Sequence, residues 1–185
     1  MKKNFLKKHN VFFLAAMTFL FVCAKQDISG TKTSKFPGNE KLKMLWEFDS
    51  GGWIYCTPEV SGDLLFIGSC SGFFYALDKD TGKIKWRYDI KKDGKQSSFH
   101  GDMLFTDDLV IVGADHGTAY VYAFEKKTGK VRWKYPAGIG VGTAIIRKEN
   151  NIYFVTLEDK VVCLNIENGK ENWVFSNHYP VVINL

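Results

Sequence analysis

An all-β fold made of repeated four-stranded units follows from three features of the sequence. A phrase occurs three times: Ala76-Leu-Asp-Lys-Asp-Thr-Gly-Lys-Ile-Lys-Trp86, Ala123-Phe-Glu-Lys-Lys-Thr-Gly-Lys-Val-Arg-Trp133 and Cys163-Leu-Asn-Ile-Glu-Asn-Gly-Lys-Glu-Asn-Trp173. Counting Trp46, the tryptophans stand 40, 47 and 40 residues apart (46 to 86, 86 to 133, 133 to 173). Short β-rich runs separated by Gly, Asp and Ser fill each interval, with no helical period. A period in the forties with four short strands is the pattern of a β-propeller blade.

The units read in order as follows. Unit one (53–89) holds strands Trp53–Val60, Leu64–Ser69, Phe73–Asp78 and Lys83–Asp89. Its breaks are Ser61-Gly62-Asp63, Ser71-Gly72 and Thr81-Gly82, all turn formers. Unit two (96–135) holds Ser98–Thr106, Leu109–Gly113, Ala119–Glu125 and Lys130–Tyr135, its extra residues lengthening the loop after Asp89 and the turn 115–118. Unit three (140–175) holds Gly142–Arg147, Ile152–Thr156, Val161–Asn165 and Glu171–Phe175. Within the repeated phrase, Gly82, Gly129 and Gly169 supply the positive φ of a tight turn. The following tryptophan lies on the outer strand, where its ring, burying about 150–250 Å², wedges neighbouring blades. Leu42–Phe48 reads as an outer strand and Tyr179–Leu185 as an inner strand. The expectation is an open arc of three full blades and two partial ones over 42–185, a partial reading frame with unpaired edges.

The amino-terminal region reads as an export signal (1–23). A basic start to Lys8 precedes the apolar run Val11–Val22, too short to span a bilayer comfortably. Leu20-Phe-Val-Cys23 has the form of a lipid-attachment box, with Cys23 the acylated residue; cleavage after Ala24 by ordinary signal peptidase is the other reading. The polar stretch that follows (24–41) reads as a flexible tether. Export would place the chain in the periplasm or on a membrane through Cys23.

Charge excludes one broad class. The formal charge is +5, from 25 basic and 20 acidic residues, but four of the lysines lie in the first eight residues. The rest is almost neutral, so nothing draws it to nucleic acid. Cys56 and Cys70 flank the turn 61–63 nearly symmetrically. They are a possible cross-strand disulfide, or simply two small buried side chains.

The phrase resembles the tryptophan-docking motif of the pyrroloquinoline-quinone (PQQ) alcohol dehydrogenase-like propellers. Unit one matches it through Ala76, Asp78, Thr81, Gly82 and Trp86; unit two through Ala123, Thr128, Gly129 and Trp133, with Glu125 for Asp; unit three through Gly169 and Trp173. Over residues 44–185 the chain is most similar to the short exported lipoprotein members, the BamB-like propellers of the outer-membrane assembly machinery. That resemblance implies about seven or eight blades in a whole propeller, protein partners in the cell envelope and no catalysis of its own. Quinone enzymes of the superfamily use adjacent cysteines, a calcium site and a catalytic Asp. Cys23, Cys56, Cys70 and Cys163 include no adjacent pair, so no cofactor and no metal is expected. A fragment of a PQQ-dependent dehydrogenase and a small-ligand or sugar-binding propeller are the alternatives.

Four other features read as structural. Gly138-Ile-Gly-Val-Gly142 is followed by strand rather than helix, so it is a glycine-rich approach to a crowded strand and not a phosphate cradle. His100 and His116 lack a partner set in the sequence and read as loop residues. Asp107, Asp108 and Asp115 read as turn residues. Lys91–Lys95 reads as a solvated loop.

Overall fold

The computed structural model describes residues 43–94 and 98–176. Twelve strands form three four-stranded antiparallel sheets. Sheet one is β1 (Glu59–Ser61), β2 (Leu64–Gly68), β3 (Phe73–Asp78) and β4 (Ile84–Asp89). Sheet two is β5 (Leu104–Phe105), β6 (Leu109–Gly113), β7 (Tyr120–Glu125) and β8 (Val131–Pro136). Sheet three is β9 (Ile146–Lys148), β10 (Asn151–Val155), β11 (Lys160–Asn165) and β12 (Glu171–Ser176). Strands in each sheet follow chain order, so every connection within a sheet is a hairpin.

Alternation along the central strands explains how the sheets stack. Side chains of a strand point alternately to its two faces. Phe66, Phe74 and Ala76 meet Val110, Val112, Tyr122 and Phe124 in one core between sheets one and two. Leu109, Ile111, Val121 and Ala123 point the other way, meeting Ile152, Phe154, Val162 and Leu164 of sheet three. The other face of sheet one (Ile67, Tyr75, Leu77) is covered by Trp46 and Phe48. Sheet two is therefore buried on both faces, and all five residues of β6 are buried.

The first strand of each sheet is shorter than the sequence predicts, three, two and three residues in β1, β5 and β9. Glycines and buried turn residues replace the ladder there: Ser98 and Gly140 each bridge Asp115 outside any named strand. Residues 43–48 carry no strand pairing, so the outer strand expected at Leu42–Phe48 is not formed over them; residue 42 lies outside the described residues. The signal, Cys23, the tether and Tyr179–Leu185 lie outside the described residues. The loop expected at Lys91–Lys95 lies between sheets one and two with Lys91 and Lys92 exposed; residue 95 is outside the described residues. Ile90–Asp93 form a 3₁₀ turn capped by the Asp89 side chain, which accepts from the Lys91 amide. Its Asp93 accepts from Tyr88 at 2.7 Å, Tyr122 at 3.2 Å and Lys134 at 2.7 Å, tying sheet one to sheet two.

Candidate functional site

Two arrangements stand out, one repeated and one unique. In the repeated one, the three phrases fold into the same turn. Gly82, Gly129 and Gly169 have φ of +70°, +70° and +67°. Each donates its amide to the carbonyl of the residue that ends the preceding strand, Asp78, Glu125 or Asn165, at 2.8–2.9 Å. The Asp78 side chain accepts from the Thr81 amide and hydroxyl. That hydroxyl and Lys85 hold the Asp78 pKa down at about 2. Each third-to-fourth strand pair shifts register at the same place, after Ala76, Ala123 and Cys163. Those three residues pair with Trp86, Trp133 and Trp173.

The indoles reach to the next turn in the series. A Cβ on Gly82 would come within 2.6 Å of the Trp46 ring, one on Gly129 within 2.5 Å of Trp86, and one on Gly169 within 2.5 Å of Trp133. The same three rings donate Nε1–H to the carbonyls of Lys79, Lys126 and Ile166. Each ring thus lies flat against a glycine that has no side chain to displace it. Trp133 is 8% exposed, whereas Trp173 is 46% exposed and touches the Tyr153 ring.

The unique arrangement joins equivalent turns of sheets one and two. Cys70 lies in the β2–β3 turn, its amide donating to the Trp53 carbonyl. Asp115 and His116 lie in the β6–β7 turn, and His100 lies in the segment leading to β5. Backbone bonds in both directions between Ser98 and Asp115, each 2.9 Å, hold that segment against the turn. Gly140 closes the other side: a Cβ there would sit 2.4 Å from the Asp115 Cα, at φ +133°. Only glycine permits that approach. The amide of Val141 donates to Ala114 and that of Gly140 to Ala137, so these glycine-rich amides serve the backbone rather than a phosphate.

At the centre is the Asp115 carboxylate, 4% exposed. Oδ1 accepts from Ser98 Oγ at 2.9 Å and faces His116 Nδ1 at 3.2 Å. Oδ2 lies 2.6 Å from His100 Nδ1. His100 Nε2 in turn lies 3.1 Å from Cys70 Sγ. His116 adopts φ +62°, and its ring meets His100 edge to face at 5.3 Å. Burial, then the charge of Asp115, pushes the Cys70 thiol up from its ordinary range. The ring of Tyr55 stands 5.1 Å from His100, and Trp53 packs edge-on to Tyr55.

These positions bear on three expectations. Cys56 and Cys70 are both free. Cys56 Sγ bonds Gly68 while Cys70 Sγ turns to His100, so their thiols have separate partners. His100 and His116 are loop residues as expected, hydrogen-bonded to one shared carboxylate, and Asp115 is the expected turn residue with its carboxylate buried. No linear motif announced the set: the Cys70–His100 and His100–Asp115 pairs are 30 and 15 residues apart in sequence. The one available signal was alignment of the repeats, in which Gly68-Ser-Cys70 and Gly113-Ala-Asp115 occupy the same place.

Three stacked four-stranded antiparallel sheets with an indole-on-glycine turn in each repeat define a protein of β-propeller repeats. The family described as outer membrane protein assembly factor BamB matches residues 39–176, and the chain belongs to it. Among solved structures, BamB from Moraxella catarrhalis superposes with TM-score 0.57 at 17% identity, over 71% of this chain and 38% of that one. Quinohemoprotein alcohol dehydrogenase from Comamonas testosteroni superposes with TM-score 0.56 at 16% identity, over 62% of this chain and 26% of that one. A polyvinylalcohol dehydrogenase from Pseudomonas sp is 40% identical over 60 residues, 32% of this chain and 9% of that protein. The chain therefore spans well under half the length of each of these relatives.

Proposed function

We propose that the chain is a segment of an exported propeller that binds protein partners in the bacterial cell envelope, in outer-membrane protein assembly. The family match over residues 39–176 carries this reading. The surface supports it: Trp53, Ile54 and Tyr55 form an exposed apolar run on a rigid sheet scaffold, the kind of platform on which loops bind partners. In this reading the indole–glycine turns hold the blades together and leave the loops to do the binding. The chain reaches the envelope through its amino-terminal signal, and Cys23 anchors it to a membrane. Among the described residues no helix is long and apolar enough to cross one.

A photo-cross-linking residue at Trp53 or Tyr55, placed in intact cells, is expected to capture a component of the outer-membrane assembly machinery. The same residue at exposed Lys127 is expected to capture none. Equal yields of unrelated proteins at all three positions would refute the reading. Labelling with palmitate, lost on Cys23→Ala, checks the anchor; a mature chain beginning at Lys25 would refute it.

The 40% identity to a polyvinylalcohol dehydrogenase favours a second reading, a piece of a quinone enzyme. The residues present do not supply its donor set, since the four cysteines include no adjacent pair. Purified protein given pyrroloquinoline quinone and calcium is expected neither to take up the quinone nor to reduce an acceptor dye with alcohols. Uptake and dye reduction would establish the second reading.

A further inference from the structure

We infer that Cys70, His100 and Asp115 form a nucleophilic thiol site in which Cys70 accepts an acyl group from an apolar ester. The inference is independent of the scaffold reading. The chemistry follows from which atoms carry hydrogen. A carboxylate has only lone pairs to offer, so His100 Nδ1, 2.6 Å from Asp115 Oδ2, must carry the proton of that bond. A ring holding that one proton has its lone pair on Nε2, which lies 3.1 Å from Cys70 Sγ. The thiol therefore donates to a base, and the base is oriented by a third group. That order, nucleophile to base to orienter, is what a protonated nucleophile needs in order to react.

The surroundings fit the assignment. Burial and the charge of Asp115 push the Cys70 thiol up, so its reaction draws on an adjacent base. Asp115 is locked from several sides: by Ser98 through both backbone and side chain, by the His116 contact, and by the close approach of Gly140. Cys70 and His100 are partly exposed, and Trp53 and Tyr55 flank them with aromatic surface for an apolar acyl chain. Cys56 and Cys163 are buried, and among the described residues no imidazole bonds either thiol.

In the reaction, Cys70 Sγ attacks the ester carbonyl carbon. A carbon–sulfur bond forms and the carbon–oxygen bond to the leaving alcohol breaks. The thiol proton passes to His100 Nε2 and from there to the departing oxygen, so nothing is oxidised or reduced. Cys70 and His100 are the reacting groups; Asp115 is a positioning residue. His100, Asp115 and His116 also present ligand atoms within 4.8 Å of one another. Both imidazoles turn Nδ1 to hydrogen-bonding range of the same carboxylate, which favours proton positioning over a shared cation.

The test uses the full 185-residue chain and 4-nitrophenyl butyrate. One equivalent of nitrophenolate is expected in a burst, with one butyryl group on Cys70 by peptide mass spectrometry. Cys70→Ala should abolish both. His100→Gln should slow the burst about 100-fold at neutral pH, the scale of general-base assistance. In the wild type the rate should rise with deprotonation of an imidazole and then level. Among the described residues, titratable groups facing the site are Asp115, His116, Tyr55 and Cys56. Asp115→Asn should change that profile and Asp115→Glu should restore it, which a merely structural role would not do. A wild-type rate that climbs steadily with pH like a free thiol overturns the inference without any variant. So does a burst unchanged in folded His100→Gln, or stoichiometric zinc binding in place of acylation.

Discussion

At the scale of single residues, the turn glycines carry the sharpest consequences. Gly129 combines a left-handed φ with an indole where a Cβ would stand. Gly129→Ala is expected to destabilise by about 2–4 kcal/mol, adding backbone strain to overpacking. Urea unfolding should show the midpoint fall with the slope unchanged. Gly62, also at positive φ but with open space around it, should lose less on the same change. Asp78 gives a pH signature. Its pKa falls from 3.8 to about 2 on folding, so its contribution is complete above the unfolded value and disappears as pH drops through the folded one. Melting curves of Asp78→Asn and wild type should therefore differ at pH 6 and converge by about pH 2. The glycines were legible from sequence, since a Gly at fixed distance before a Trp marks a turn. The thiol site was not, because its three members come from two turns and a linker that only folding brings together.

At the scale of elements, the alternation of β6 and β7 makes sheet two the divider between two cores, and that of β2 and β3 makes sheet one the divider between the first of them and the Trp46–Phe48 cover. The second and third strands were readable because they are continuous apolar runs between turn residues, buried on both faces in β6 and β7. The first strands were not, since β5 pairs with β6 over only two residues and the chain ahead of it keeps just the isolated Ser98–Asp115 bridge. Trp133→Ala should cost about 3–5 kcal/mol, as a buried aromatic leaves a cavity and its Nε1–H bond to Ile166 is lost. Trp173→Ala, half exposed, should cost about 1 kcal/mol or less. Equal losses at the two positions would contradict indole-on-glycine packing as the link between sheets.

For the whole molecule, two features join or bound the stack. Asp93 gathers Tyr88 from sheet one with Tyr122 and Lys134 from sheet two. Burial alone would raise its pKa, but the Lys134 and tyrosine contacts prevail and lower it. Asp93→Ala is expected to cost about 1–3 kcal/mol, because it strands buried hydroxyls without their acceptor. That loss should shrink at acid pH, where the wild-type carboxylate is also neutralised. The bounding feature is β12, all six of whose residues are exposed, Trp173 and Phe175 among them. Such a face should bind anilinonaphthalene sulfonate, and Phe175→Lys should reduce the fluorescence.

The recurring phrase alone determined the four-stranded unit, its turns and its tryptophan spacing, because those depend on contacts a few residues apart and repeat at a fixed period. Tertiary structure alone decided what surrounds each side chain. Stacking two sheets put equivalent turns side by side, and that set a thiol, an imidazole and a buried carboxylate in line. Such proximity depends on the angle and spacing of sheets, which no local pattern of residues encodes.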